Sequence, residues 1–175
     1  MQSQAQGRLA RLYEAHAQEA TRFAYFLTND LAGAEDLVQE AFLKIASRLG
    51  QLRRAQSFET YLRRTIVNLV RMRYRRLGVE RRFLERAARE RPLMHIDDPG
   101  SDSAIDDGVR AAMASLPLRQ RAAIGLRYYF DLGDPQIAEI LGCSEGTVRS
   151  SVSRGLATLR HNIESEAKEA GVPDD

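Results

Sequence analysis

From Asp134 to Arg160 the chain runs DPQIAEILGCSEGTVRSSVSRGLATLR, and this segment dictates what its second half becomes. Asp134 before Pro135 reads as a helix start: an acceptor side chain for orphan N–H groups, then proline at the first helical position, where its missing donor costs nothing. The helix from Pro135 to Leu141 stops at Gly142, because glycine takes the positive φ of a tight helix ending. Ser144 then caps a second helix. In it Val148, Val152, Leu156 and Leu159 form one inward stripe, while Thr147, Ser150, Ser153 and Arg154 project from the other side and Arg149 lies at the margin. Two short helices around a glycine-containing turn, the second presenting small polar and arginine side chains, suit the major groove of duplex DNA. Arginine pairs bidentately with guanine, and hydroxyls contact bases or phosphates. The competing reading is a helical hairpin whose arginines are merely solvated; the agreement of capping, turn and polarity favours DNA.

The run QIAEILGCSEGTVRSSVSRGLATLR, preceded by LPLRQRAAIGLRYY, resembles the promoter-binding helix-turn-helix domain of bacterial sigma factors. The resemblance implies that the helix from Glu145 reads the upstream, minus-thirty-five promoter element, with Ser144, Thr147, Arg149, Ser150, Ser153 and Arg154 as its DNA contacts. Two positions depart from the family pattern, which often has a basic residue where Ser151 stands and an alanine at Gly155. Ahead of this segment a helix through Val109, Ala112, Met113 and Leu116 and another from Leu118 to Phe130 are expected.

Charge is segregated along the rest of the chain. Between Arg53 and Arg91 there are thirteen arginines against four acids, whereas Asp97 to Asp107 holds five aspartates and no Lys or Arg. That acidic stretch, MHIDDPGSDSAIDDG with its flanks, also concentrates Pro, Gly and Ser, which marks a flexible linker. Length agrees: 175 residues hold one ordinary domain or two small helical ones. A hydrophobic fraction of 43% with 29% charged residues fits a soluble protein, and no apolar run approaches the roughly 20 residues of a membrane span. No secretory leader is read at Met1, and the single cysteine, Cys143, cannot form an internal disulfide. A cytoplasmic protein without membrane insertion is expected.

The first half reads as three helices, with no alternating strand pattern. The first buries Leu9, Leu12, His16, Phe23 and Leu27. The second begins near Asn29 or Asp30, runs to about Leu49 and buries Ala34, Leu37, Val38, Ala41, Ile45 and Leu49. The third starts behind Ser57 as N-cap and buries Phe58, Leu62, Ile66, Leu69 and Met72. Opposite the buried stripe of the second helix, Asp36, Gln39, Glu40, Leu43 and Ser47 share about a third of the circumference, a polar face with an apolar centre. Such a face is equally an interface or a solvated surface with one exposed leucine. On the third helix Tyr61, Arg64, Asn68, Arg71 and Arg75 line a narrow stripe. It combines cations for phosphate, a ring for stacking and an amide for a base edge, as single-stranded DNA binding needs; a solvated arginine-rich face accounts for it as well.

Resemblance separates these alternatives. The sequence AEDLVQEAF is similar to the helix by which sigma factors grip the clamp of RNA polymerase, which implies core-polymerase contacts for Asp36, Gln39, Glu40 and Leu43. The segment FETYLRRTIVN resembles the sigma element that recognises and opens the minus-ten region, with Tyr61 where the family commonly has tryptophan and Asn68 matching its asparagine. The minus-ten set so implied is Arg53, Phe58, Tyr61, Arg64, Asn68, Arg71 and Arg75. The loop Gly50 to Gln56 would hold an unstacked base, with Arg53 and Arg54 near its phosphates.

Enzyme readings find no support. His16, His95 and His161 stand far apart without metal-ligand spacing, and no nucleophile elbow or phosphate-cradling glycine loop is present. Cys143 reads as a small structural thiol in the turn. No catalytic residue, metal or cofactor is expected.

The chain therefore reads as all-α, two small helical domains joined by an acidic flexible linker. The expected boundaries are 1–92 for the polymerase and minus-ten domain, 93–107 for the linker, 108–165 for the helix-turn-helix domain and 166–175 for a tail. The resemblance implies an extracytoplasmic-function sigma factor whose partners are bacterial core RNA polymerase, promoter DNA and, where one exists, an anti-sigma factor. The alternatives are a conventional helix-turn-helix regulator that binds duplex DNA as a dimer without the polymerase core and, more distantly, a helical adaptor that binds only proteins.

Overall fold

A computed structural model describes residues 2–47, 57–84 and 112–169, and among them every regular element is a helix. The expected all-α class is what the chain adopts. It divides into two compact units, Met1–Asp102 and Ser103–Asp175. The linker, the tail beyond Glu169, the loop with Arg53 and Arg54, and Leu49, His95 and Val109 lie outside the described residues.

In the first unit α1 (Gln2–Thr28), α2 (Leu31–Ala46) and α3 (Phe58–Leu84) each pack against the other two. Asn29 ends α1 in the left-handed region, φ 53°, and its N–H donates to Tyr25 O; asparagine is one of the few residues that tolerate that conformation. Asp30 immediately caps α2, its Oδ1 accepting from Gly33 N at 3.0 Å. Ser57 caps α3 in the same way, with Thr60 N donating to its Oγ at 3.2 Å. Phe23, Leu27, Val38, Ile45, Ile66, Val67 and Val70 close the core. Phe42, not anticipated from the stripe, is buried with them and packs against both Tyr13 and Phe58.

Several expected core positions sit at its margin. Leu9, Leu12, His16 and Phe58 are half-buried, the last two ring against ring. Met72 is exposed at 42%. Val67 and Val70 are buried beside Leu62, Ile66 and Leu69, and at about 100° per residue they draw the buried arc of α3 away from Met72.

In the second unit a helical turn over 112–115 leads into α4 (Leu118–Tyr128), α5 (Asp134–Leu141) and α6 (Glu145–Glu169). Helices α4 and α5 pack on α6 and on each other. Helix α4 stops two residues before the expected Phe130, and α6, at 25 residues, is much longer than the expected short helix. Arg121 is buried and donates to Ala114 O at 2.6 Å and Leu116 O at 2.9 Å, closing the 112–115 turn onto α4. Buried Ala112, Met113 and Leu116 pack as their spacing implied, and Ile124, Leu126, Ile137, Ile140, Val148 and Val152 complete the core. Leu156 and Leu159 are only half-buried, because the inward stripe outruns the elements that cover it.

Candidate functional site

The α2 face is built as its spacing requires. With Ala34, Leu37, Val38, Ala41 and Ile45 buried, Asp36, Gln39, Glu40 and Leu43 all stand exposed, Leu43 at 72%. Glu40 is partly engaged by Lys44, 3.2 Å away on the same helix, an exposed pair worth only about 0.3–0.5 kcal/mol and easily exchanged for a partner's cation. Beside this face lies an open groove of about 280 Å³. Asp36 and Glu40 line it from α2, and Arg73, Arg76, Met72 and Leu77 from α3, with Leu37 and Leu69 also contributing. The sequence reading missed the α3 side of this groove. Its signal was present: Leu69, Met72, Arg73, Arg76 and Leu77 recur at three- and four-residue steps.

The α3 stripe is likewise on one side of its helix. Arg64, Asn68 and Arg75 are exposed, while Tyr61 and Arg71 are half-buried. Arg71 donates to Asn68 Oδ1 at 3.4 Å, which orders the amide along the stripe. Arg64 and Arg75 make no ion pair with any described side chain, so their charge faces solvent. Phe58 differs from the others: its ring packs on His16 and Phe42, so it supports the start of the stripe from below. The adjacent Arg63, 13% exposed, instead turns towards Glu19 and Glu59.

In the second unit the helix-turn-helix is fixed by three local devices. Gly142 adopts φ 64° and ψ 47°, and the following Cys143 N–H donates to Ala138 O. Ser144 caps α6 by accepting from Thr147 N at 3.2 Å, and its hydroxyl shares a 2.9 Å hydrogen bond with Thr147 Oγ1. Both residues are therefore partly spent on the helix start. The third device corrects the expected start of α5. Gly133, not Asp134, is the N-cap, and Gln136 Oε1 reaches back to accept from Gly133 N at 3.1 Å. The Asp134 carboxylate is thereby free for other work: it takes Arg127 of α4 on Oδ1 and Arg149 of α6 on Oδ2.

Along α6, Arg149, Ser150, Ser153 and Arg154 are exposed on the side away from Val148 and Val152. Arg154 makes no ion pair with any described side chain. The two departures from the family pattern lie on the opposite side. Ser151 is buried, and a Cβ at Gly155 would lie 2.7 Å from Ile124 Cδ1. Gly155 therefore faces α4.

Comparison with known proteins defines the class: residues 12–79 match the family Sigma-70 region 2 and residues 107–159 match Sigma-70, region 4. A probable RNA polymerase sigma factor RfaY of Xanthomonas campestris is 34% identical over 161 residues, covering 87% of this chain; the chain spans only 40% of that relative's length. The ECF RNA polymerase sigma factor SigL of Mycobacterium tuberculosis is 32% identical over 170 residues and covers 87% of each chain. In fold, the chain is similar to the sigma factor RpoE solved in complex with the anti-sigma factor NepR from Bartonella quintana, with TM-score 0.73, 24% identity, and coverage of 89% of this chain and 96% of that one. The chain belongs to the extracytoplasmic-function RNA polymerase sigma factors. No helix among the described residues is long and apolar enough to cross a membrane.

Proposed function

We propose that this chain docks on bacterial core RNA polymerase through Asp36, Gln39, Glu40 and Leu43, sets position on duplex DNA with α6, and traps opened minus-ten DNA on the Tyr61 to Arg75 stripe. What supports the docking face most is a single observation: Leu43 stands 72% exposed in the middle of an otherwise acidic and amide surface. An apolar anchor ringed by polar groups is how an interface combines affinity with register. Arg64 and Arg75 give phosphate contacts, Tyr61 a stacking surface and Asn68 a base-edge amide, with Phe58 as their support and Arg53, ahead of α3 in the sequence, completing the set. On duplex DNA, Arg149 and Arg154 are the candidates for guanine, and Ser150 and Ser153 for bases or phosphates; Ser144 and Thr147 contribute what their capping bonds leave free. Flipping a base costs a few kcal/mol, which many phosphate contacts offset.

In this reading the polymerase domain spans 1–92, the linker 93–107, the helix-turn-helix domain 108–165 and the tail 166–175. The protein works in the cytoplasm, performs no chemistry of its own and needs no cofactor. An anti-sigma factor that covers the exposed faces is a further partner. Run-off transcription tests the whole: the chain added to core polymerase and a pool of promoter fragments should yield transcripts from a defined subset that core enzyme alone does not use. Identical transcription from the same fragments with and without the chain would refute it.

A further inference from the structure

Asp134 sits at the junction of all three helices of the second unit. Its carboxylate is 18% exposed, with Oδ1 held by Arg127 Nη2 of α4 and Oδ2 3.3 Å from Arg149 Nη1 of α6. Arg127 is 30% exposed and Arg149 63% exposed, so one arginine anchors the carboxylate from within while the other hangs from it at the surface. Glu145, one turn earlier on α6, adds a weaker hold at 3.8 Å. A bare arginine at that position would sweep a wide arc and take whichever phosphate came within reach. Tethered through Nη1 to Asp134 and, more loosely, to Glu145, the guanidinium is restricted in its arc while Nε and Nη2 stay available, the edge with which a fork can meet a base bidentately.

We propose that Asp134 is a positioning residue for sequence readout: it orients Arg149 towards a base and disfavours indiscriminate phosphate binding. The proposal rests on the assignment of α6 to upstream promoter DNA. Two effects of the carboxylate combine. Preorganisation favours the one geometry in which Arg149 reads a base and so raises the ratio of cognate to non-cognate affinity, whereas the negative charge at the protein surface lowers affinity for every sequence alike; on cognate DNA the loss of the first offsets the relief of the second. Removing it by Asp134→Asn should therefore raise binding to non-cognate DNA while adding little or nothing to cognate DNA.

The test uses the full chain assembled with core RNA polymerase and a pool of promoter duplexes randomised over the upstream element. The readout is the ratio of affinities for the sequence the wild-type chain enriches and for its scrambled counterpart. Arg149→Ala should lower that ratio on the order of tenfold, since one bidentate arginine supplies that much discrimination. Asp134→Asn should lower it roughly fivefold, mainly through tighter binding to the scrambled duplex. In the Arg149→Ala background the same substitution should leave the ratio unchanged, because nothing remains to be positioned; a purely structural role would lower it in either background. Arg149→Lys, which keeps the charge and loses the planar fork, supplies a second route should Asp134→Asn unfold on thermal melting, and it should lower the ratio as far as Arg149→Ala does. Retention of the wild-type ratio by Arg149→Ala would overturn the DNA reading of this residue. A drop with Arg149→Ala but none with Asp134→Asn, or equal ratios for Arg149→Lys and wild type, would overturn the positioning role and leave the DNA reading standing.

Discussion

Gly33 shows how tightly single residues are constrained at the entry to α2. A Cβ there would collide with Arg73 Nη1 and Asp30 Oδ2, on the two side chains that join the start of α2 to α3 across a 2.7 Å ion pair. Helix propensity alone predicts that Gly33→Ala stabilises by up to about 1 kcal/mol. Here the methyl group should displace the Asp30 cap and its ion pair, so the net change should be a loss of about 1 kcal/mol, read from urea denaturation midpoints. A gain would show that the cap and the pair re-form elsewhere at no cost. On α6 the residue-level expectation is different in kind. Arg154 is exposed, so Arg154→Ala should leave stability within about 0.5 kcal/mol of wild type while weakening upstream-element discrimination by about 1–3 kcal/mol, measured by competition between matched and mismatched duplexes. Equal loss of stability and recognition would point to misfolding. Asp134 marks what a linear reading could not reach at this level: it reads as the cap of its helix, but Gly133 takes that place, and the partners of its carboxylate, Arg127 and Arg149, come from two other helices.

Elements were more legible than their edges. The period of three and four residues located α2 and its outward face correctly, because one buried stripe fixes the rotation of a helix and hence every residue on its far side. Met72 escaped for the complementary reason: where α3 carries apolar residues over a wide arc, only its packing against α1 and α2 selects which of them are buried. The extent of α6 escaped as well, since no glycine or proline marks a stop between Gly155 and Glu169. The outward face of α2 yields a separable prediction. Leu43→Ala removes a side chain that is 72% exposed, so thermal stability should hardly move. Affinity for core polymerase should fall about tenfold, as expected for the apolar centre of an interface. A variant with unaltered polymerase affinity would remove Leu43 from that interface.

For the molecule entire, what the sequence made plain was the order of parts: a polar face on α2, an arginine-rich stripe on α3 and a helix-turn-helix, with an aspartate-rich stretch before the last. Each part carries its own local signal. The mechanism joins them through partners outside the chain, which no periodicity records, and there the resemblance and the matched Sigma-70 regions did the work. Electrostatics ties the joint behaviour to salt. Promoter binding by the assembled enzyme should fall linearly in log affinity against log salt, and Arg64→Ala with Arg75→Ala should shallow that slope by about two units, one for each phosphate no longer neutralised. An unchanged slope would place both arginines off the DNA.

Equilibrium titration of the full-length chain onto purified bacterial core polymerase at low ionic strength bears on everything else proposed. Saturable one-to-one binding that Asp36→Ala with Gln39→Ala weakens at least about tenfold, with circular dichroism unchanged, is the expected result. A folded wild-type chain that does not associate with core enzyme, or a double variant that binds as well as wild type, would contradict it.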